Sequence, residues 1–193
     1  MQVSQLYIYP IKSLGGIALQ TVGVTDRGFQ YDRRWMLIDE NNRFISQREV
    51  AEMALLKVNL GSNGLEVFHL NNPTEILQIP FAPYNNISVP VSVWDAGCNG
   101  TLVSNEVDAW FSEKLHINCR LVYMNEDDKI LIDEAYNINN SISSFSDGFP
   151  ILIASEASLN DLNSRLMEAL PMNRFRPNLV VSGAKPFEEN EIK

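Results

Sequence analysis

The segment VSQLYIYPIKSLGG, residues 3–16, combines a strand pattern with a polar pair and two glycines. Apolar and polar residues alternate over Val3–Tyr9, which predicts a β-strand, and Pro10 ends the pattern. Lys12 and Ser13 then place a cation and a hydroxyl beside backbone that glycine opens to close approach, which suits a phosphate or another anion. A solvated turn is the simpler interpretation of so short a pattern, so the rest of the chain must distinguish the two.

Short strand-like runs continue up to residue 103 and predict a meander of antiparallel strands. Turn-forming sequences such as DENN and GSNG separate these runs. Hairpins that close into a barrel leave no open sheet edge, so we expect a β-barrel here. The runs are Ile17–Val24, Trp35–Asp39, Arg43–Ser46, Leu55–Leu60, Leu65–Leu70, Glu75–Ile79, Ile87–Trp94 and Gly100–Val103.

The hydrophobic period becomes helical after this region. SNEVDAWFSEKLHI predicts a helix over 104–116 behind a Ser104 cap, and SEASLNDLNSRLMEAL predicts a second helix over 155–170. The second helix stands between apolar runs that predict strands, which indicates a strand, helix, strand crossover. The remaining segments are a strand at Arg120–Met124, a polar loop at 125–148, and the two flanking strands at Phe149–Ala154 and Asn178–Ser182.

These patterns predict a mainly β protein with an α/β portion. An N-terminal β-barrel domain is expected over residues 1–124, and an incomplete α/β domain over residues 125–193. One crossover unit cannot build a sheet and a core alone, so it must join the first part or belong to a larger domain.

Charge and cysteine content exclude several function classes. The formal net charge of −9 and the absence of a Lys/Arg-rich run argue against nucleic acid and anionic membrane surfaces as partners. The two cysteines are too few for a disulfide framework and lack the spacing of a zinc site. With no leader pattern and no long apolar stretch, a cytoplasmic protein is expected.

Two further cationic clusters stand at predicted strand entrances. YDRRW carries Arg33 and Arg34, which strand alternation would place on opposite faces. In NRFRPN, the guanidinium of Arg176 and the amide of Asn178 would suit a phosphate beside a heterocycle. The alternative is structural ion pairing of these arginines with nearby acids, namely Asp26, Asp32 and Glu49. For Arg48, in SQRE, a surface salt bridge is the simpler expectation.

In order along the chain, YPIKSLGG, YDRRWMLID, SQRE, SEASLNDLNSRL and RFRPNLVVSG resemble the molybdenum-cofactor sulfurase C-terminal (MOSC) family. The resemblance is to the branch with an N-terminal β-barrel, which includes amidoxime-reducing components. It implies that molybdopterin binds between the two parts of the chain. The residues implied to bind it are Lys12, Ser13 and Arg33 from the barrel, Arg176 and Asn178 from the MOSC part, and backbone near Asp147 and Gly148.

The resemblance also implies an activity, the reduction of N-hydroxylated or N-oxygenated compounds at a molybdenum held by a protein cysteine. An electron-donor protein is then an expected partner, and pyridoxal phosphate binding is a further association at the level of the domain. The metal-binding cysteine of relatives lies beyond the RPN strand, and Cys98 and Cys119 match no ligand motif. The chain is therefore expected to be truncated before the metal ligand and inactive alone.

Two other classes of function stay open. One is a non-catalytic module that carries the cofactor or sulfur, as in sulfurase relatives. The other is a structural fragment whose basic residues only form salt bridges. Apolar surface around Ile151–Ile153 and Leu179–Val181 is expected to be poorly covered, which favours strand exchange or a homodimer.

Overall fold

The fold is mainly β, as predicted, in the computed structural model, which describes residues 1–137 and 139–192. The strands are β1 (Gln2–Ile8), β2 (Ile17–Leu19), β3 (Val24–Thr25), β4 (Gly28–Phe29), β5 (Trp35–Ile38), β6 (Leu56–Leu60), β7 (Gly64–His69), β8 (Asn72–Pro80), β9 (Ser88–Val93), β10 (Ala96–Leu102), β11 (Arg120–Tyr123), β12 (Ile130–Leu131), β13 (Ile142–Ser143), β14 (Ile153–Ser155) and β15 (Leu179–Ser182). The helices are α1 (Asn105–Leu115) and α2 (Glu156–Asn163), with 3-10 turns at Ala51–Leu55, Met172–Arg174 and Glu188–Glu191.

Antiparallel pairing dominates the first part of the chain, as the alternating runs predicted. The strands β6, β7 and β8 form a meander, and β9 and β10 form a hairpin that β11 and β5 extend. The run predicted over 17–24 is interrupted, because the Gly23 carbonyl accepts a hydrogen bond from Gln30 (2.8 Å) and starts the β3–β4 hairpin. The run predicted over 43–46 forms only isolated bridges, at Arg43 and Phe44.

Helix α1 closes over the larger hydrophobic core. The Ser104 side chain accepts a hydrogen bond from the Val107 N–H (3.2 Å), which confirms the predicted cap. Phe111 and Leu115 then reach the buried side chains of β5 and β11, among them Trp35 and Leu121. Strand β5, which begins directly after Arg34, is therefore packed against the core that α1 covers.

The C-terminal strands join the sheet of the first part. β14 and β15 are parallel, as the crossover predicted, and β15 pairs antiparallel with β1. The resulting sheet has the order β14-β15-β1-β2. The proposed boundary between residues 124 and 125 therefore separates two segments that share one sheet.

Helix α2 is shorter than its apolar stripe predicted. It ends at Asn163, whose side chain accepts a hydrogen bond from the Leu170 N–H (2.8 Å) and donates one to the Leu170 carbonyl (3.0 Å). These bonds fold the following residues back as a loop and leave Leu166 on the surface. The predicted loop over 125–148 also contains regular structure, the short β12–β13 hairpin.

The expected apolar surface near the C-terminus is present only in part. Leu152 is 46% exposed, as expected, whereas Val180 and Val181 are buried. The expectation fails for the two valines because β15 is an interior strand, covered by β14 on one side and β1 on the other. Dimerisation stays a prediction.

Candidate functional site

The turn after β1 presents a buried cation at the edge of a cleft. The Lys12 ammonium donates hydrogen bonds to the Phe145 carbonyl (2.8 Å) and to Asp147 Oδ1 (2.6 Å), and lies 5.1 Å from the centre of the Phe44 ring. Burial lowers the pKa of Lys12, and the Asp147 carboxylate offsets only part of that effect. Lys12 is therefore a poorly hydrated cation with one anionic contact.

Ser13 follows in a left-handed backbone conformation, with φ +67°. Its carbonyl accepts a hydrogen bond from the Gln47 side chain (2.6 Å), which joins this turn to the segment after Ile45. A left-handed conformation is uncommon for residues other than glycine and is often found at functional sites. Arg33 (φ +49°) and Arg176 (φ +55°) share it.

Arg33 is fixed by two buried polar side chains. Its Nη1 donates to Asp32 Oδ2 (2.5 Å) and to Asn178 Oδ1 (2.9 Å). The other Asp32 oxygen accepts from the Tyr9 N–H (2.7 Å). Burial raises the pKa of Asp32, and the positive charge of Arg33 opposes that rise. The network holds the Arg33 guanidinium in one orientation.

Arg176 approaches the same place from the C-terminal part of the chain. Its guanidinium lies 4.2 Å from the centre of the Tyr9 ring, and that of Arg33 lies 4.7 Å from the same ring. Its Nη1 donates to the Leu14 carbonyl (2.6 Å). Burial, together with the charge of Arg33, lowers the pKa of Arg176 to about 10. Two like charges on one ring favour an anionic ligand between or beside them.

These side chains meet at a cleft of about 370 Å³. Five cations and one carboxylate are among its lining residues, which are Lys12, Ser13, Arg33, Phe44, Ser46, Gln47, Arg48, Asp147, Arg174 and Arg176. Because the chain as a whole is acidic, this concentration of positive charge is a local feature.

Five of the seven sequence-predicted site residues line this cleft, namely Lys12, Ser13, Arg33, Asp147 and Arg176. Asn178 is 1% exposed and lies beneath the cleft as a partner of Arg33. Gly148 is not a lining residue, and a Cβ added there would meet no atom within 4 Å. The side chain of Asp147 lines the cleft and contacts Lys12, whereas only the backbone near this residue was expected to line it.

Sequence reasoning missed Arg48 and Arg174 as members of the cleft. Both belong to motifs already singled out, SQRE and NRFRPN, and Arg174 stands two residues before Arg176. The surface salt bridge expected of Arg48 is absent among the described residues, and its guanidinium lies 4.7 Å from the centre of the Trp94 ring instead.

Structural ion pairing was the alternative interpretation of the arginines, and among the described residues one of the expected pairs is present. Arg33 pairs with Asp32, whereas Arg34 turns away from the cleft and pairs with Glu126 (2.9 Å). Arg33 still lines the cleft although it forms this ion pair. Both interpretations therefore apply to the same side chain.

The residues of the cleft fit a phosphate-bearing heterocycle better than a metal ion. Guanidinium and ammonium groups bind phosphate, and the cleft adjoins a groove of about 510 Å³ that shares Arg48, Arg174 and Arg176. Within residues 1–137 and 139–192, no group of three or more His, Cys, Asp or Glu side chains could hold a metal ion. Burial raises the pKa of Cys98 to about 12 and of Cys119 to about 11, which keeps both thiols protonated.

Comparison with known proteins identifies the family to which this chain belongs. Residues 1–118 match the model of the MOSC N-terminal beta barrel domain, and residues 140–193 match that of the MOSC domain. The chain belongs to the MOSC family and carries its N-terminal barrel domain.

Among individual relatives, the chain is 33% identical to mitochondrial amidoxime reducing component 2 of Rattus norvegicus, over 97% of this chain and 58% of the relative. It is 29% identical to the molybdenum cofactor sulfurase of Oryza sativa subsp. japonica, over 100% of this chain and 26% of the relative. The chain thus spans less than two thirds of the length of either relative. A solution structure from Bordetella bronchiseptica aligns with a TM-score of 0.42 at 16% identity, over 56% of this chain and 92% of that chain, a likeness too low to compare sites.

The relatives do not confirm the predicted location. The amidoxime reducing components are mitochondrial by name, so a cytoplasmic location stays a prediction. Neither helix α1 nor helix α2, in the part of the chain that the structure describes, has the length and hydrophobicity of a membrane span.

Proposed function

We propose that this chain binds the molybdopterin of the molybdenum cofactor in the cationic cleft, as part of an oxidoreductase that reduces N-hydroxylated or N-oxygenated compounds. The observation that carries the proposal is the convergence of Lys12, Arg33 and Arg176, from three separate segments, on one cleft in an acidic protein. The names of the relatives support it, because they include amidoxime reducing components and a molybdenum cofactor sulfurase.

In this proposal, the chain supplies charge, orientation and a protected surface. Lys12, Arg33 and Arg176 neutralise the phosphate, and Asn178 fixes the direction of Arg33. Ser13 offers a hydroxyl beside them. The Tyr9 ring supports both arginines, and burial raises the pKa of its hydroxyl to about 12, so it stays neutral. When bound, the cofactor supplies the electron and oxygen transfer that reduction of an N–O bond requires.

Two parts of this function lie outside the cleft. An electron-donor protein is a proposed partner of the oxidoreductase, and a cysteine thiolate for the metal is proposed to come from elsewhere than Cys98 or Cys119, neither of which lines the cleft. Pyridoxal phosphate binding stays a prediction.

The test is a titration of molybdopterin into the chain and into the double variant Lys12→Ala, Arg176→Ala. Loss of two poorly hydrated cations should weaken binding at least about tenfold. The control double variant Arg165→Ala, Lys185→Ala removes the same charge from exposed positions and should bind as the parent does. Equal binding by all three proteins, with circular dichroism showing that each is folded, contradicts the proposal.

A second function is a carrier of cofactor or sulfur without catalysis. The observation that favours it is the match of the whole chain to part of a molybdenum cofactor sulfurase. A full-length protein that contains this chain and is loaded with cofactor separates the two. Reduction of an aromatic amidoxime supports the oxidoreductase, whereas release of cofactor to an acceptor protein without reduction supports the carrier.

A further inference from the structure

Arg48 lies where three cavities meet. It lines the cationic cleft, the groove of about 510 Å³ beside it, and a third groove of about 420 Å³. The third groove shares Phe44 and Ser46 with the cleft and adds Trp94 and Arg43. A ligand that extended from the cleft into either groove would pass this side chain.

The segment that carries Arg48 is tied to the Lys12–Ser13 turn. The Gln47 side chain donates to the Ser13 carbonyl (2.6 Å), so residue 48 follows directly after a residue anchored to the anion-binding turn. The N–H groups of Glu49 and Val50 donate to the Ser46 carbonyl (3.0 and 2.9 Å), which closes the segment into a tight turn. Arg48 is therefore held close to the cleft although its side chain is exposed.

The guanidinium of Arg48 has an aromatic contact and no acidic one. Its centre lies 4.7 Å from the Trp94 ring centre, and no carboxylate in the described part of the chain lies within ion-pairing distance of it. The neighbouring Glu49 carboxylate is used by the Ser46 N–H (3.3 Å) and hydroxyl (3.2 Å). A cation on an aromatic face keeps its charge available to an anion.

Trp94 is held in place in spite of an unfavourable backbone. Val93 pairs with Ala96, so Trp94 and Asp95 form a two-residue hairpin turn, and Trp94 has φ +54°. Glycine or asparagine is usual at such a position. The indole N–H donates to Asp147 Oδ1 (3.0 Å), and the ring packs edge-on against Phe44 at 4.8 Å. These contacts fix the ring face on which Arg48 rests.

We propose that Arg48 is a further anion-binding residue of this site and that Trp94 is its positioning residue. This inference rests on the proposed function of the cleft and extends it. The ligand it implies is anionic and long enough to extend from the cleft past Arg48 into a neighbouring groove. Arg48 supplies a charge from the first part of the chain, whereas Arg176 comes from the C-terminal part, and both line the same cleft.

The probe is inorganic pyrophosphate, titrated into the full chain by calorimetry. We expect Arg48→Ala to weaken binding about three- to tenfold and to reduce its salt dependence, because one charge-assisted contact is lost. Arg48→Lys keeps the charge and should recover part of the affinity. Arg165→Ala removes the same charge from an exposed position; it is the control and should leave the pyrophosphate affinity unchanged.

The positioning role of Trp94 is tested by two variants and by fluorescence. Trp94→Phe keeps an aromatic face and should retain most of the affinity, whereas Trp94→Leu should approach the affinity of Arg48→Ala. Pyrophosphate should change the tryptophan emission of the parent chain; Trp94→Phe should abolish that change, and Arg48→Ala should reduce it at saturating pyrophosphate.

The outcomes separate this inference from the function on which it rests. If Lys12→Ala, Arg176→Ala loses binding while Arg48→Ala matches the control, the inference is overturned and the cleft remains an anion site. If Trp94→Leu binds as the parent does, the positioning role is overturned. If Lys12→Ala, Arg176→Ala binds as the parent does, the proposed function itself fails.

Discussion

At the scale of single residues, the pairing of Lys12 with Asp147 is the least expected feature of an anion site. The two side chains differ in exposure, 7% for Lys12 and 73% for Asp147. Asp147 therefore lies mostly in water, although the oxygen that contacts Lys12 also accepts a hydrogen bond from the Trp94 indole N–H (3.0 Å). An incoming phosphate would repel the carboxylate and compete with it for Lys12. The Asp147 carboxylate is thus an anionic group already in contact with the Lys12 ammonium.

Asp147→Asn should increase affinity for inorganic pyrophosphate about two- to fivefold, because it removes the negative charge nearest to Lys12 while keeping the side-chain shape. Calorimetric titration measures the change. Asp127→Asn removes an equal charge from an exposed loop and should leave affinity unchanged. A lower affinity in Asp147→Asn would show instead that the carboxylate orients Lys12 for binding.

The lowered pKa of Lys12 predicts a pH dependence of anion binding. Lys12 is charged below its pKa, and burial sets that pKa below the 10.5 of an ordinary lysine, so affinity for sulfate should fall as the pH rises through the lowered value. The linked effect on stability has the opposite sign. The penalty of burying the charge is present at neutral pH and is relieved as the pH rises from the folded-state pKa to 10.5.

Titration with sulfate, which keeps its charge over this range, measures the midpoint of that fall. In Lys12→Arg the decline should move to higher pH, because the ordinary pKa of a guanidinium lies above that of an ammonium group. An identical alkaline profile in the two proteins would assign the decline to another group.

At the scale of elements, the residues of the candidate site lie mainly in turns rather than in strands. Ser13, Arg33, Trp94 and Arg176 all have positive φ, and all four lie in segments between regular elements. Such backbone is stable only where the surroundings hold it, here through Gln47, Asp32 and Asn178. The strands and α1 form the support that keeps these turns in register.

The cap of α1 gives an element-scale prediction. Ser104→Ala removes the acceptor of the Val107 N–H and should lower the free energy of unfolding by about 1 kcal/mol. Ser104→Asp keeps an acceptor and should retain stability. Chemical denaturation of the two variants measures the difference. Since α1 lies away from the cleft, pyrophosphate affinity should not change in either, and a change would show that the helix couples to the site.

At the scale of the whole molecule, Asn178 joins the two ends of the chain. Its side chain accepts from Arg33 (2.9 Å) and from the Leu152 N–H (3.1 Å), and donates to the Tyr7 carbonyl (3.2 Å). Its backbone also bonds with Tyr7 and Leu152. One buried amide thus connects β1, the segment before β14 and the turn that carries Arg33.

Asn178→Ala should therefore reduce both stability and anion binding. Leaving several buried polar groups without a partner costs about 2–4 kcal/mol in unfolding free energy, and the released Arg33 should weaken pyrophosphate binding severalfold. Denaturation and calorimetry measure the two effects. Asn63→Ala, in an exposed turn, serves as the matched control. A stability loss without a loss of affinity would show that Arg33 does not depend on Asn178 for its orientation.

The sequence alone determined the features that depend on local periodicity and on turn chemistry. Alternation located most strands, and Ser104 located the start of α1, because side-chain period and capping are properties of neighbouring residues. The motifs also identified Lys12, Arg33 and Arg176 as cations of interest. The predicted end of α2 was wrong. The helix stops at Asn163, whose side chain forms hydrogen bonds with the backbone of Leu170 and folds the following residues into a loop.

Only the tertiary structure decided which of these residues meet. The β1–β15 pairing brings residue 176 to the turn after β1, a contact between the ends of the chain that no local pattern encodes. Asp147 contacts Lys12 across 135 positions of the chain, and the turn at Ser46–Glu49 brings Arg48 to Trp94. The sequence determines which side chains can carry a charge. Burial, which lowers the pKa of Lys12 and of Arg176, arises only when distant segments pack together.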